Sequence, residues 1–205
     1  LRNPRGWQLG TLSDCLAGAV AGWSALGEAR PASADEMGVL KISAVTSGEY
    51  LPKENKAVGM IPANKLLVIP QVGDLLFSRA NTRELVAATC IVTEAPQNVF
   101  LPDKLWRLDV DSKVADVAYL KFVMTNEDYR GQLCSTATGT SGSMLNISKA
   151  KLLAHPVPLP PKEMQTAFSD IWRMTRKVIQ RKTADLENAN NLFASLSQRA
   201  FRGEL

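Results

Sequence analysis

The chain has 205 residues, 45% of them hydrophobic and 21% charged, with a net charge of +4. That length supports one core plus an appendage, and the composition is that of an ordinary soluble globular protein. No apolar run reaches about 18 residues, which excludes a membrane-spanning helix. The opening stretch LRNPRGWQLG has neither Met nor an apolar h-region, so it does not read as a signal peptide and points to a piece of a longer protein. Cys15, Cys90 and Cys134 are odd in number and widely spaced, which argues against a disulfide framework or a zinc site and for a reducing cytoplasm. His155 is the one histidine, too few for a His-rich metal centre.

In chain order, Thr11 or Ser13 can cap a short helix over 11–20. Residues 21–36, rich in Ala, Gly, Ser and Pro, read as a loop. A strand is expected over 38–45, turned by Ser47 and Gly48. The polar stretch 50–65 carries Lys53, Lys56 and Lys65 and reads as an exposed excursion. Strands over 72–78 and 85–92 flank a polar loop, RANTRE, at 79–84. Residues 104–110 alternate as a strand. Helical spacing runs over 114–124. Asn126 is placed to cap a helix ending near Ser135, and Ser148 to cap another over 149–153. Between them lie a small-residue loop at 138–143 and a short extended piece at 144–147. The run HPVPLPP at 155–161 is stiff and extended.

The last stretch reads as one long helix. Pro160 and Pro161 pre-set φ for its first turn, Glu163 favours its positive end, and no Gly or Pro follows until Gly203. About 40 residues at 1.5 Å each make a rod on the order of 60 Å. Trp172, Ile179, Leu186, Phe193 and Ala200 recur every seven residues, beside the row Phe168, Thr175, Lys182, Ala189 and Leu196. This heptad seam, weak at Thr175 and Lys182, calls for a partner helix; the alternative is packing on its own domain. Residues 162–205 hold eight Lys/Arg against five Asp/Glu. The architecture expected is a mixed α/β (α+β) globular domain, 1–157, followed by a long C-terminal α-helix, 158–205.

Three stretches carry chemistry. Arg79, Asn81, Thr82 and Arg83 suit base edges, since Arg pairs bidentately with guanine and Asn with adenine; alternatively they form a hairpin loop paired with Glu84. The loop at 139–143 can cradle a phosphate on backbone amides and hydroxyls, or be a flexible turn. It lacks the lysine and spacing of a P-loop, and no dinucleotide fingerprint occurs. Asp103, Asp111 and Lys113 follow the P-D…D-x-K order of Mg²⁺-dependent nucleases, although both carboxylates fall in turns.

Taken together, GDLLFSRANTRELV (73–86), DKLWRL (103–108), GTSGSMLNIS (139–148), VPLPP (157–161) with EMQ (163–165), and SLSQRAFRGEL (195–205) resemble the specificity (S) subunit of type I restriction-modification systems. The motifs fall in the family's order and cover nearly the whole chain. EMQ replaces a more usual acidic-Gln-Gln run. The resemblance implies a target recognition domain and a conserved helix, without catalytic residues, metal or cofactor of its own. A full-length subunit carries two such units whose helices pair as an antiparallel coiled coil; this chain carries one. It is therefore half of a longer subunit or a half-subunit that homodimerises through Phe168, Trp172, Ile179, Leu186, Ala189, Phe193, Leu196 and Ala200.

By the same resemblance the partners are double-stranded DNA, modification (methyltransferase) subunits bringing S-adenosylmethionine, and a restriction (translocase/nuclease) subunit bringing ATP and Mg²⁺. The DNA contacts expected first are Arg79, Asn81, Thr82 and Arg83. Lys41, Ser43, Lys53, Lys56, Thr138, Thr140, Ser141 and Ser143 come second. The rival readings are a metal-dependent endonuclease using Asp103, Asp111 and Lys113, and a coiled-coil adaptor that binds no DNA.

Overall fold

The strand that carries Trp106 lies inside a four-stranded sheet, paired on both sides. The computed structural model describes residues 3, 5–94, 98–139 and 144–204, which form two compact units, Leu1–Gln165 and Thr166–Leu205. In chain order the elements are β1 (Gln8–Thr11), α1 (Leu12–Cys15), β2 (Leu16–Ala21), β3 (Met37–Leu40), α2 (Ser43–Thr46), β4 (Asn55–Val58), β5 (Leu75–Ser78) and β6 (Ala80–Asn81). There follow β7 (Thr89–Ile91), β8 (Val99–Phe100), β9 (Leu105–Val110), α3 (Val117–Thr125), α4 (Glu127–Ser135), β10 (Leu145–Asn146), α5 (Lys149–Leu153), β11 (Pro156–Leu159) and α6 (Lys162–Phe201).

Four antiparallel strands, in the order β2-β9-β5-β7, make the larger sheet. All four residues of β5 are buried, as a central strand covered on both faces requires. Helix α3 packs on β7. A second sheet, β4-β3-β8, pairs β3 antiparallel with β4 and parallel with β8. Leu40, Val45, Leu76, Cys90, Leu101 and Leu105 join the two sheets in one core. Each large side chain buried there contributes roughly 1.5–3 kcal/mol.

Several local expectations fail for tertiary reasons. Residues 16–21 form a strand, not a helix, because Leu16, Ala19 and Ala21 find partners Val110, Leu108 and Trp106 on β9. The strand expected over 38–45 stops at Leu40. Ala44 and Val45 are both fully buried, which a helical turn allows and strand alternation does not. The excursion at 50–65 contains β4, with Tyr50, Asn55, Ala57 and Val58 buried. The Asn55 side chain accepts from Ala32 N at 2.8 Å and donates to Pro52 O at 2.8 Å. The returning strand is only Thr89–Ile91, since Val86 N turns back to Thr82 O and Ala87 adopts φ 63°. Gly22 runs so close to β8 and its exit that a Cβ would stand 1.7 Å from Leu101 O.

The caps form where the sequence puts them: Asn126 accepts from Tyr129 N, and Ser148 from Lys151 N. Pro161 stands just before α6 rather than within its first turn, its carbonyl accepting from Met164 N at 3.0 Å and Gln165 N at 3.2 Å. Gln165 is buried and fully used. Its Oε1 accepts from Asp116 N, and its Nε2 donates to Val114 O and Pro160 O. At the far end Gly203, at φ 69°, closes the helix.

Helix α6 is one uninterrupted helix of 40 residues, and from Thr166 on it belongs to the second unit. Ile171, Ile179, Leu186, Phe193 and Leu196 are exposed, as are Ala189 and Ala200, while Phe168 and Trp172 are half-buried. Arg176 lies over the Trp172 ring at 5.8 Å. Among the described residues no helix is long and apolar enough to cross a membrane.

Candidate nucleic-acid interface

Arg79 leaves the central strand β5 and is tied on both sides. Its backbone N–H donates to Lys104 O at 3.0 Å, and its carbonyl accepts from Ile147 N at 2.9 Å. The first bond joins it to the start of β9, the second to the end of β10. Beyond it, β6 and β10 pair as a short antiparallel ribbon, Ala80 opposite Asn146 and Asn81 opposite Leu145. Thr138 exchanges two 2.8 Å backbone bonds with Asn146. The fold therefore brings Ala80 and Asn81 together with Thr138, Leu145 and Asn146, some sixty residues away in sequence. Gly139 is required there, since a Cβ would stand 2.4 Å from Met144 O. Thr140, Ser141 and Ser143 lie outside the described residues.

The Arg79 side chain is committed to the protein. Its Nε donates to Asp103 O at 3.0 Å, its Nη2 is 3.7 Å from Asp103 Oδ2, and the guanidinium lies 5.7 Å from the Trp106 ring centroid. Asn81 Oδ1 accepts from Thr82 N at 2.8 Å, which orients the amide. The Glu84 carboxyl is held below its ordinary range by its own backbone N–H and by the Thr82 hydroxyl. Arg83 is exposed and faces elsewhere, lining a cleft of about 350 Å³ with Glu127, Arg130 and Cys134. Arg130, which sequence reasoning passed over, anchors the return of this loop: its Nη2 donates to Glu84 O at 2.6 Å and to Val86 O at 3.0 Å. An arginine within a polar helix carries no local mark of such a role.

Lys41, Ser43 and Lys56 meet in a groove of about 400 Å³ that also includes Ser24, Pro102 and Lys104. Lys41 Nζ is 3.6 Å from Glu54 Oε2, to which the Ser43 hydroxyl donates at 2.7 Å. That hydroxyl bond, with the Lys41 charge, depresses the Glu54 pKa. Lys53 is exposed and does not line the groove. Lys104 forms one wall and, through its carbonyl, is bonded to Arg79 N. The groove and the ribbon are thus neighbours across Arg79.

The nuclease constellation does not assemble. Asp103 and Asp111 stand at opposite ends of β9, whose six residues cover about 17 Å. One metal ion needs its ligands within about 2–2.6 Å. Asp103 instead accepts from the Ser24 hydroxyl and pairs with Arg79, while Asp111 Oδ1 accepts from Lys113 N at 2.9 Å, closing a turn. Among the described residues no group of three or more His, Cys, Asp or Glu is arranged to hold a metal.

No protein-family model matches the chain. It is similar to the type I restriction enzyme EcoEI specificity subunit of Escherichia coli, with 30% identity over 167 residues, 79% of this chain and 27% of the relative. The EcoKI specificity subunit of Escherichia coli strain K12 is 27% identical over 173 residues, 82% of this chain and 37% of the relative. Among solved structures, the HsdS subunit from Thermoanaerobacter tengcongensis matches with TM-score 0.56 and 18% identity, covering 88% of this chain and 45% of that one. The type I S subunit from M. genitalium gives TM-score 0.54 and 13% identity over 88% of this chain and 42% of that one. A chain in a structure of complex assembly and conformational transition of the type I R-M system gives TM-score 0.57 and 18% identity over 91% and 46%.

A mixed α/β unit with a long C-terminal helix is thus a fold shared with type I S subunits. In sequence, too, the chain is similar to type I restriction enzyme specificity subunits, the family its motifs resemble. It spans 27% and 37% of the curated relatives and less than half of the solved ones.

Proposed function

We propose that this chain is a sequence-specific DNA-binding unit of a type I specificity subunit, recognising one half of a bipartite target. It works in the cytoplasm and has no catalytic residue or cofactor of its own. Residues 1–157 serve as the recognition domain and 158–205 as spacer, pairing surface and docking site. The helix pairs antiparallel with a second copy or with the second half of a longer subunit. Modification subunits supply S-adenosylmethionine, and a restriction subunit supplies ATP-driven translocation and Mg²⁺-dependent cleavage.

The observation that carries this reading is the β6–β10 ribbon, which joins Ala80 and Asn81 to Leu145, Asn146 and Thr138 beside a groove holding three lysines. Side-chain amides and hydroxyls suit base edges, and ammonium groups suit phosphates. The exposed apolar stripe of α6 supports the pairing, because Ile179, Leu186 and Phe193 are left in water in a single chain.

Selection from a randomised duplex pool by the assembled methyltransferase complex tests it. If two copies assemble, the enriched sequence is symmetric with a fixed spacer; two different units give an asymmetric bipartite site. No enriched motif and no salt dependence of binding would instead leave an adaptor. The purified chain alone is expected to leave plasmid DNA uncut in Mg²⁺.

A further inference from the structure

We propose that Lys56 and Lys104 form a phosphodiester clamp that sets the register of the duplex without reading its sequence, leaving sequence to the adjoining β6–β10 ribbon. The inference rests on the DNA-binding reading and assigns a division of labour within it. Lys104 was not among the contacts expected from the sequence.

The charges around the groove favour these two residues. Glu54 is countered by Lys41 at 3.6 Å and accepts from Ser43 at 2.7 Å. Asp103 is countered by Arg79 at 3.7 Å and accepts the Ser24 hydroxyl. Both carboxylates at the groove are thereby matched by a cation. Lys56 and Lys104 remain as the excess, and neither has an ion-pair partner among the described residues. An unmatched pair of ammonium groups flanking a concavity of about 400 Å³ is complementary to a backbone phosphate.

The mounting suits positioning. Lys56 is exposed on β4, opposite Val39 in register, and Lys104 stands immediately before β9. Lys56 is carried by a paired strand, and Lys104 by the turn that opens directly into β9, held there by the backbone bond from Arg79 N, so both are anchored to the sheets. The bond from Arg79 N to Lys104 O, 3.0 Å, couples that spacing to the ribbon. A phosphate held at the groove would fix which bases the ribbon meets.

The test measures affinity of the assembled complex for two labelled duplexes, the selected site and a scrambled one, between 50 and 200 mM salt. Each phosphate contact contributes about 0.9 to the slope of log K against log salt. K56A/K104A is expected to lower the slope by about 1.8, so that the affinity lost across this fourfold salt range is about tenfold smaller. The change is the same on both duplexes, with sequence preference intact. K56R/K104R retains the wild-type slope, and Lys113→Ala, outside the groove, leaves it unchanged. An unaltered slope in a K56A/K104A protein with wild-type melting temperature overturns the clamp. So does a loss confined to the selected duplex, or an equal effect of Lys113→Ala. A double variant impaired only in assembly with modification subunits would assign the lysines to a protein contact, and also overturns it. Wild-type complex without salt-dependent duplex binding would sink the DNA-binding reading itself.

Discussion

The Arg79 guanidinium lies 5.7 Å from the Trp106 ring centroid while its Nε donates to the Asp103 carbonyl at 3.0 Å. A residue chosen from the sequence as a base reader is thus also a clasp between β5 and the turn before β9. A half-exposed cation–π contact is worth about 0.5–1 kcal/mol and a hydrogen bond about 0.5–1.5 kcal/mol. Arg79→Ala is therefore expected to lower stability by roughly 1–2 kcal/mol in urea unfolding, with Arg79→Lys recovering only part of it. Unchanged stability, with discrimination of about 1–3 kcal/mol lost at one guanine, would return Arg79 to base reading.

Asn81 sits on the ribbon opposite Leu145 with its amide oriented by Thr82 N. Asn81→Ala should weaken binding by about 1–3 kcal/mol at a single A·T pair of the selected site and leave the scrambled duplex unaffected. Competition between single-base variants of the site reads this directly. A uniform loss would make Asn81 a backbone contact.

The seam of α6 has a polar layer at Lys182, one turn before the exposed Leu186. Burying a leucine there is worth roughly 1.5–3 kcal/mol. Lys182→Leu should tighten self-association by about tenfold or more, and Leu186→Asp should abolish it, both measured by sedimentation equilibrium on the full chain. No gain from Lys182→Leu would place that position outside the seam.

His155 is 7% exposed, its ring edge-on to Tyr129 at 4.7 Å between centroids, and its Nε2 finds no hydrogen-bond partner among the described residues. Burial pushes its pKa below the ordinary 6.5. Protonation then favours the unfolded chain: the stability it contributes is complete above 6.5 and declines as pH falls through the lower folded value. The carboxyls depressed in the fold, Asp14, Glu36, Glu54 and Glu84, act in a separate window below their ordinary 3.8 to 4.5. Urea midpoints should fall between pH 7.5 and 5.5 in the wild type and stay flat in His155→Phe. An equal slope in both would assign the effect to other groups.

What the sequence determined by itself is what a few neighbouring residues can enforce. The caps at Asn126 and Ser148, the apolar runs of β5 and β9, the prolines ahead of α6 and its stop at Gly203 are all decided within about one or two helical turns. The heptad stripe was legible for the same reason, since 40 helical residues repeat one local rule. The family resemblance was legible too, as short motifs in a set order.

Tertiary structure decided the rest. Leu16–Ala21, small and helix-compatible, became a strand because β9 offered it an edge. Asn55–Val58, polar at first sight, became one because β3 did. Strand pairing is a bargain with a distant partner, and no window of local sequence contains both parties. The candidate site has the same origin. Ala80 and Thr138 both pair with Asn146, Asn81 stands opposite Leu145 beside them, Lys104 joins this ribbon through Arg79, and Arg130 holds the loop from α4. Asp103 and Asp111, close in sequence, are kept at opposite ends of β9 because a strand is extended.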